Sequence, residues 1–326
     1  MSNHPYDTLG PDTVIDAVEA AGYLSDARLL ALNSYENRVY QVGIEDGEPL
    51  IAKFYRPGRW TDEQILEEHA FAAELADAEI PVVAPLAGAD GRTLFEHAGF
   101  RVALFPRRGG YPPELDDPDA LLVLGRTLGR IHRVGAARPF EHRPAMDPKE
   151  MLDDNRAFLL EYFIPRDLRP AYESITADLA DRVAPLWAEI TPADCQRLHG
   201  DCHGGNILWR DDNAHFVDLD DCMTGPAIQD LWMFLSGGRL QREAFLSELI
   251  AGYEEFMDFD PRQLRWIETL RTLRLIRYAA WLARRWDDPA FPHSFPWFNT
   301  DRYWADHVLE LREQLAAMDE APLRLL

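Results

Sequence analysis

The sequence predicts an α+β chain of two lobes, a small antiparallel-sheet lobe over residues 1–106 and a larger, mostly helical lobe over residues 107–326. Three observations predict it. The chain has 326 residues, enough for two lobes around a shared cleft. Up to Pro106, strand-like runs surround one strong helix. From Pro118 onward the apolar residues recur at helical spacing with one main interruption.

In order, "TVIDAVEAAGYL" has helical spacing, and "NRVYQVGIEDGEPLIAKFYRP" reads as two strands joined at "EDGE". "TDEQILEEHAFAAELADAEI" is a helix with Thr61 or Asp62 as N-cap and acids in its first turn. "TLFEHAGFRVALFP" reads as two strands around His97–Gly99, so the first lobe runs strand, strand, helix, strand, strand. Helical segments follow in "DALLVLGRTLGRIHRV", "KEMLDDNRAFLLEYF" and "RPAYESITADLADRVAPLWAEI", and again after Pro226 through "LRWIETLRTLRLIRYAAWLARRW" and "DRYWADHVLELREQLAAM". The strand-like interruption is "NILWRDDNAHFVDLDD".

Hydrophobic content of 47% supports a sizeable core. A formal charge of −23 excludes nucleic acid and anionic membrane surfaces as partners, because both need a basic footprint. An anionic substrate would have to be held by local arginines or a cation within a cleft. No basic segment precedes an apolar core at the N-terminus, and no apolar run is long enough for a membrane span. The three cysteines, Cys195, Cys202 and Cys222, show no C-x-x-C spacing, which fits a reducing cytoplasm.

The chemistry concentrates in "LHGDCHGGNILW", residues 198–209, and the hairpin after it. A hairpin register symmetric about Asp212 would pair Asn206 with Asp218 and place an amide oxygen beside a carboxylate. Oxygen ligands in that number suit Mg²⁺, which shares substrate phosphates. Asp201, Asn206 five residues on and Asp218 seventeen on reproduce the spacing of a kinase catalytic loop. In that chemistry the first acid, Asp201, orients the attacking hydroxyl and accepts its proton, while Asn206 and Asp218 hold Mg²⁺ on ATP. Lys53, ending the apolar strand "PLIAKF", is the candidate cation for the ATP phosphates. Glu68 lies on the apolar face of the next helix and is its natural partner, with Glu67 one step away as the competitor.

Taken together, "HGDCHGGNILW", "FVDLDD" and "GPAIQDLWMFL" resemble the aminoglycoside phosphotransferase and choline kinase superfamily, a branch of the protein-kinase-like fold. "SYENRVYQVG", "IAKFYRPGRW", "EEHAFAAEL" and "AWLARRWDDPAFPHSFPWF" are similar, more narrowly, to the bacterial stress response kinase A family, over nearly the whole chain. The resemblance implies a bilobal protein-kinase-like fold and an ATP- and Mg²⁺-dependent serine/threonine kinase that phosphorylates protein, including itself, in a bacterial stress response. It implies Asp201 as proton acceptor, Asn206 and Asp218 as Mg²⁺ ligands, and Lys53 on the ATP phosphates. A monomer is expected. Where protein kinases carry a glycine-rich loop, this chain has "NSYENRVY", and Ser34 and Asn37 are the candidate donors to the nucleotide in its place.

The main competing function is a small-molecule kinase acting on a hydroxyl of an amine or amino sugar; a nucleotide-binding scaffold without catalysis is the third. Asp230 is read either as a buried support of the catalytic loop or as a helix-terminal acid. His199 is read as structural, His203 as an exposed loop residue or a phosphate contact, and His132 as a core residue. A zinc site from His199, Cys202 and His203 lacks a fourth ligand. Arg271, Arg274 and Arg277, with Arg284 and Arg285, line a substrate wall or, the stronger reading, pair with surface acids. Trp281, Trp286, Trp297 and Phe298 are read as packing, with a box for a cationic amine as the alternative.

Overall fold

The structure, a computed structural model, describes residues 4–326. The first lobe runs α1 (Pro11–Ala20), β1 (Ser25–Ala31), β2 (Arg38–Ile44), β3 (Leu50–Phe54), α2 (Asp62–Asp77), β4 (Phe95–His97) and β5 (Phe100–Pro106). Its five strands form one antiparallel sheet in the order β1-β2-β3-β5-β4. The turn anticipated around His97–Gly99 is a two-residue hairpin loop, with Ala98 and Gly99 at φ 50° and 83° and His97 opposite Phe100. Strand β1 was not anticipated. "SDARLLA" is a largely solvent-facing edge with a register irregularity and Ala27 at φ 65°, so it carries no alternation of apolar and polar residues to read.

The period-two alternation of β3 sets up the site. Leu50, Ala52 and Phe54 face one way and pack with Val42, Phe100, Val102, Leu104 and the α1 residues Val14, Ala17 and Val18. Ile51 and Lys53 therefore face the opposite side, into the space between the lobes. Helix α2 starts at a capping box: the Gln64 amide donates to Thr61 Oγ1 at 3.3 Å and Thr61 N donates to Gln64 Oε1 at 3.0 Å. Its Phe71, Ala72 and Leu75 are buried in the large core of the second lobe, which ties the helix to both lobes.

The second lobe comprises α3 (Pro118–Gly135), a π-helical turn (Lys149–Asp154) leading into α4 (Asn155–Tyr162), α5 (Arg169–Trp187), β6 (Cys195–Leu198), β7 (Ile207–Arg210), β8 (Asn213–Phe216) and β9 (Met223–Pro226). It continues through α6 (Ile228–Trp232), α7 (Arg239–Glu254), α8 (Ile267–Arg284), α9 (Ala290–Ser294) and α10 (Asp301–Met318). Gly125, Gly129 and Gly252 let α3 and α7 cross backbone to backbone, since a Cβ at any of them would strike a main-chain oxygen of the other helix. The expectation of a single strand-like interruption is corrected: β6 and β9 pair as a second ladder flanking the β7–β8 hairpin. Strands of four residues are too short to display a period. No helix among the described residues is long and apolar enough to cross a membrane.

Candidate active site

A cavity of about 710 Å³ opens between the sheet and the helical lobe. Lys53, Glu68, Asp201, Asn206 and Asp218 all line it, as do Ser34 and Asn37. The route by which Asn206 and Asp218 meet differs from the expected one. The hairpin turn consists of Asp211 and Asp212, both left-handed at φ 52° and 54°, and the register pairs Ile207 with Phe216. Asn206 therefore stands opposite Val217, whose amide donates to the Asn206 carbonyl at 3.0 Å, and not opposite Asp218. A shift of one residue would normally send Asp218 to the other face. Asp218 avoids this by leaving the strand in a left-handed conformation, φ 59° and ψ 62°, so that it lines the same cavity as Asn206.

Buried Asp230 sets the shape of the loop carrying Asp201. Its Oδ2 accepts from the amide of His199 at 2.8 Å and contacts His132 Nε2 at 3.0 Å, and its Oδ1 accepts from the amide of Gly200 at 2.9 Å. His132 Nδ1 in turn lies 3.0 Å from the Tyr253 hydroxyl. Gly200 adopts φ 86°, and a Cβ there would run into the carbonyl oxygen of Asp221. His199 Nε2 donates to the Val217 carbonyl at 2.9 Å, linking the loop to the strand that ends at Asp218. Asp230 is thus the loop's anchor rather than a simple helix-end acid, and His132 is a core residue that belongs to the same network.

Asp201 contacts Arg274 Nη1 at 2.5 Å and His203 Nε2 at 3.4 Å. Burial opposes ionisation of this carboxyl, but the hydrogen bond from His203 and the charge and hydrogen bond of Arg274 outweigh it and hold Asp201 well below the ordinary carboxylate range. His203 Nδ1 accepts from the Gly205 amide at 3.0 Å, which leaves the proton on the nitrogen facing Asp201. The Asn206 amide nitrogen donates to the Asp201 carbonyl at 3.0 Å, which orients the side chain and leaves its oxygen as the atom available to a ligand.

Lys53 is 5% exposed and sits among three acids: Asp218 at 3.1 Å, Asp220 at 3.1 Å and Glu68 at 3.5 Å. Burial works against its charge, but Asp220 first and then Glu68 outweigh it, so the ammonium is held protonated. Burial pushes Glu68 up to about 7 against the pull of Lys53. Glu67, the competing candidate, faces away and accepts from the amides of Glu141, His142 and Arg143 at 2.6–2.8 Å. Asp220 is buried and also binds Arg59, while its carbonyl accepts from Arg143 at 2.5 Å. Lys53, Arg59 and Arg143 together hold Asp220 below its usual range despite burial.

The Ser34 and Asn37 side chains serve the loop they sit on. Ser34 Oγ donates to the Asn37 carbonyl at 3.1 Å, and Asn37, nearly fully buried, accepts from the Arg56 amide at 3.1 Å. What this loop presents across the cleft is Glu36, which binds Arg285 at 2.8 Å, Trp281 Nε1 at 2.6 Å and Arg56 at 3.0 Å. Sequence reasoning missed Glu36, Arg59, Asp220 and the pairing of Arg274 with Asp201. The acids of "DLDD" beyond Asp218 were the one available signal. The stronger reading of the arginines is also corrected in part. Arg271 pairs with Glu268 on its own helix, but Arg274, Arg277 and Arg285 reach Asp201, Asp221 and Glu36 at the cleft. Among the aromatics, Trp281 lines the cavity, while Phe298 is buried and Trp286 packs against it.

Among the described residues no group of three or more His, Cys, Asp or Glu side chains is arranged to hold a metal alone. Asn206 and Asp218 nevertheless fit Mg²⁺. They offer an oriented amide oxygen and a carboxyl that is 54% exposed at the cavity, the small protein contribution expected when phosphates complete the shell.

Residues 28–267 match the model of the phosphotransferase enzyme family. Stress response kinase A of Escherichia coli strain K12 is 46% identical over 321 residues, 98% of this chain and 97% of that protein. A Salmonella typhimurium protein called serine/threonine protein kinase RdoA is also 46% identical, with the same coverage. In structure, an amicoumacin kinase in complex with AMP-PNP, Ca²⁺ and Ami superposes with a TM-score of 0.72 at 20% identity, covering 94% of this chain and 93% of that one. The protein-kinase-like bilobal architecture is therefore shared. The chain belongs to the phosphotransferase enzyme family and is a relative of stress response kinase A.

Proposed function

We propose that this protein is an ATP- and Mg²⁺-dependent kinase that phosphorylates serine and threonine hydroxyls of protein, its own included, in a cytoplasmic bacterial stress response. The observation that carries the reading is the meeting of Asp201, Asn206, Asp218 and the Lys53–Glu68 pair at one cavity. Lys53 binds the ATP phosphates from the sheet side. Asn206 and Asp218 would hold Mg²⁺ on the same phosphates, supplying charge neutralisation there. Asp201 accepts a hydrogen bond from the acceptor hydroxyl and takes its proton as the oxygen bonds to the γ-phosphorus. The bond from that phosphorus to the β-γ bridging oxygen breaks, and ADP departs with the electron pair. Positioning and electrostatics supply most of the rate, since the transition state is loose.

A second reading, phosphorylation of a small-molecule alcohol, is favoured by the aromatic side chains Tyr278, Trp281 and Phe295 on the acceptor side of the cavity. The fold relative named as an amicoumacin kinase lends it support. Mass spectrometry after incubation with Mg²⁺ and ATP, alongside label transfer to casein-like protein and to a panel of alcohols, separates the two. Phosphate on serine or threonine of protein, absent in Asp201→Ala, is the expected result. Label on alcohols alone would establish the second reading, and label on neither would remove both.

A further inference from the structure

The acceptor side of the cavity is one face of α8. Leu270, Arg274, Arg277, Tyr278 and Trp281 fall at helical intervals and all line it. Two of these five are guanidiniums, in a chain of net charge −23. Arg274 takes Asp201 Oδ1 at 2.5 Å, and Arg277 takes Asp221 Oδ1 at 3.0 Å. Both arginines remain about one-third exposed at the cavity, so neither is locked in the core. An incoming hydroxyl must reach the carboxyl that Arg274 now occupies. A cationic amine entering along this wall would meet both guanidiniums before the acids they pair with, Asp201 and Asp221, and beside the aromatic rims of Tyr278, Trp281 and Phe295.

Resting on the reading of Asp201 as the proton acceptor, we infer that the acceptor carries an anionic group, carboxylate or phosphate, beside the hydroxyl that is phosphorylated, and that Arg274 and Arg277 recognise it. Arg274 leaves Asp201 for that anion, so binding of the correct acceptor uncovers the carboxyl oxygen that receives the hydroxyl. Residues three apart on a helix lie about 5–6 Å from each other. That separation is close to the roughly 6–7 Å between the phosphorylated serine and an anionic side chain two residues along an extended peptide, which lies on the same face. Planar, bidentate recognition of carboxylate or phosphate is what guanidinium supplies and ammonium does not. The long-range field of the protein disfavours any anion, so selection falls to this local pair.

The test is a matched acceptor series: serine peptides flanked by Asp or Glu, by Ala and by Lys, and a small hydroxy acid beside its neutral amide. Each is assayed with wild type, Arg274→Ala, Arg277→Ala and Arg274→Lys, with ATP turnover in the absence of acceptor measured alongside and Tm recorded for every variant. In wild type, kcat/KM for the acidic member should exceed that of the neutral one about ten- to hundred-fold, the range of a charge-assisted hydrogen bond. In both alanine variants the ratio should fall toward one, and Arg274→Lys should recover only part of it. The ratio is read within one variant, so a general loss of folded enzyme does not mimic the effect. Acidic peptides labelled in preference identify a protein acceptor, and the hydroxy acid alone identifies a small anionic alcohol; either upholds the inference. Equal use of neutral or basic acceptors, no labelling of any acidic acceptor while ATP turnover persists, or a preference that survives both alanine substitutions overturns it. Loss of ATP turnover in wild type itself would instead remove the underlying assignment of the site.

Discussion

The two sides of the cleft are held in place by different physics. The loop carrying Asp201 is fixed from behind by buried, short hydrogen bonds to Asp230 within the core of its own lobe. The loop of residues 32–37, on the sheet side, is held from in front. Glu36 and Tyr35 reach over to Arg285, Trp281 and Phe295, and Asp288 gathers Arg38 and Arg56 from the sheet side at 3.0 and 2.6 Å. Buried hydrogen bonds are insensitive to salt and costly to break singly, whereas the charge network over the cleft has partly exposed arms, Arg38 at 18% and Arg285 at 26%, that salt screens in part. The difference teaches that the Asp201 loop is preorganised by its own lobe, while the loop of residues 32–37 is held by contacts that join the two lobes.

The comparison breaks most visibly at Asp230. Asp230→Ala leaves three buried donors without their acceptor, at about 1–3 kcal/mol each. We expect phosphoryl transfer to be lost and Tm in a calorimetric scan to drop by roughly 4–13 °C, from the entropy scaling for a chain of this length. An unchanged Tm would show that the network does not hold the loop. Next in size is Lys53→Met, which removes the cation proposed to bind the ATP phosphates. Steady-state kinetics should show transfer reduced on the order of 10²–10³-fold, with the Asp201 loop intact by hydrogen exchange.

Glu36→Gln should matter less and differently. Wild-type KM for ATP should vary with ionic strength, and the variant should shift KM a few-fold and lose most of that variation. A salt response equal to wild type would count against the ion-pair cover. The smallest effect concerns Glu68. Its folded value is raised to about 7 by burial, so the unfolded chain releases this proton first as pH rises. The native state then binds more protons, and stability falls with pH between the ordinary carboxylate range and about 7. The Tm difference, Glu68→Gln minus wild type, should therefore grow from pH 5 to pH 7.5 and level off above. A flat difference would contradict the raised value.

The same contrast explains what could be read without coordinates. Asp201, Asn206 and Asp218 lie within eighteen residues, and local turn chemistry brings them together, so their spacing was legible even though the hairpin register came out one residue away from the expected one. The αL conformation of Asp218 compensated for that slip, and no propensity of aspartate foretells it. Lys53 was legible because it ends an apolar strand where kinases carry their phosphate-binding lysine, and Glu68 because helix periodicity left a charge on an otherwise apolar face. The cover of the nucleotide side was not legible. Glu36 and Arg285 are separated by 249 positions, and both look like ordinary surface charges in sequence. Asp230 lay between the two cases, its neighbours in sequence marking a helix start and its role appearing only with His199, Gly200 and His132 around it.

The central claim is that Asp201 takes the proton of the acceptor hydroxyl at a site whose nucleotide contacts do not depend on it. Single-turnover transfer from γ-labelled ATP by Asp201→Asn, with ATP affinity measured by titration calorimetry on the same sample, tests it directly. Transfer is expected to fall by at least about 10²–10⁴, with ATP affinity within a few-fold of wild type. Transfer at the wild-type rate, or loss of nucleotide binding together with transfer, would contradict it.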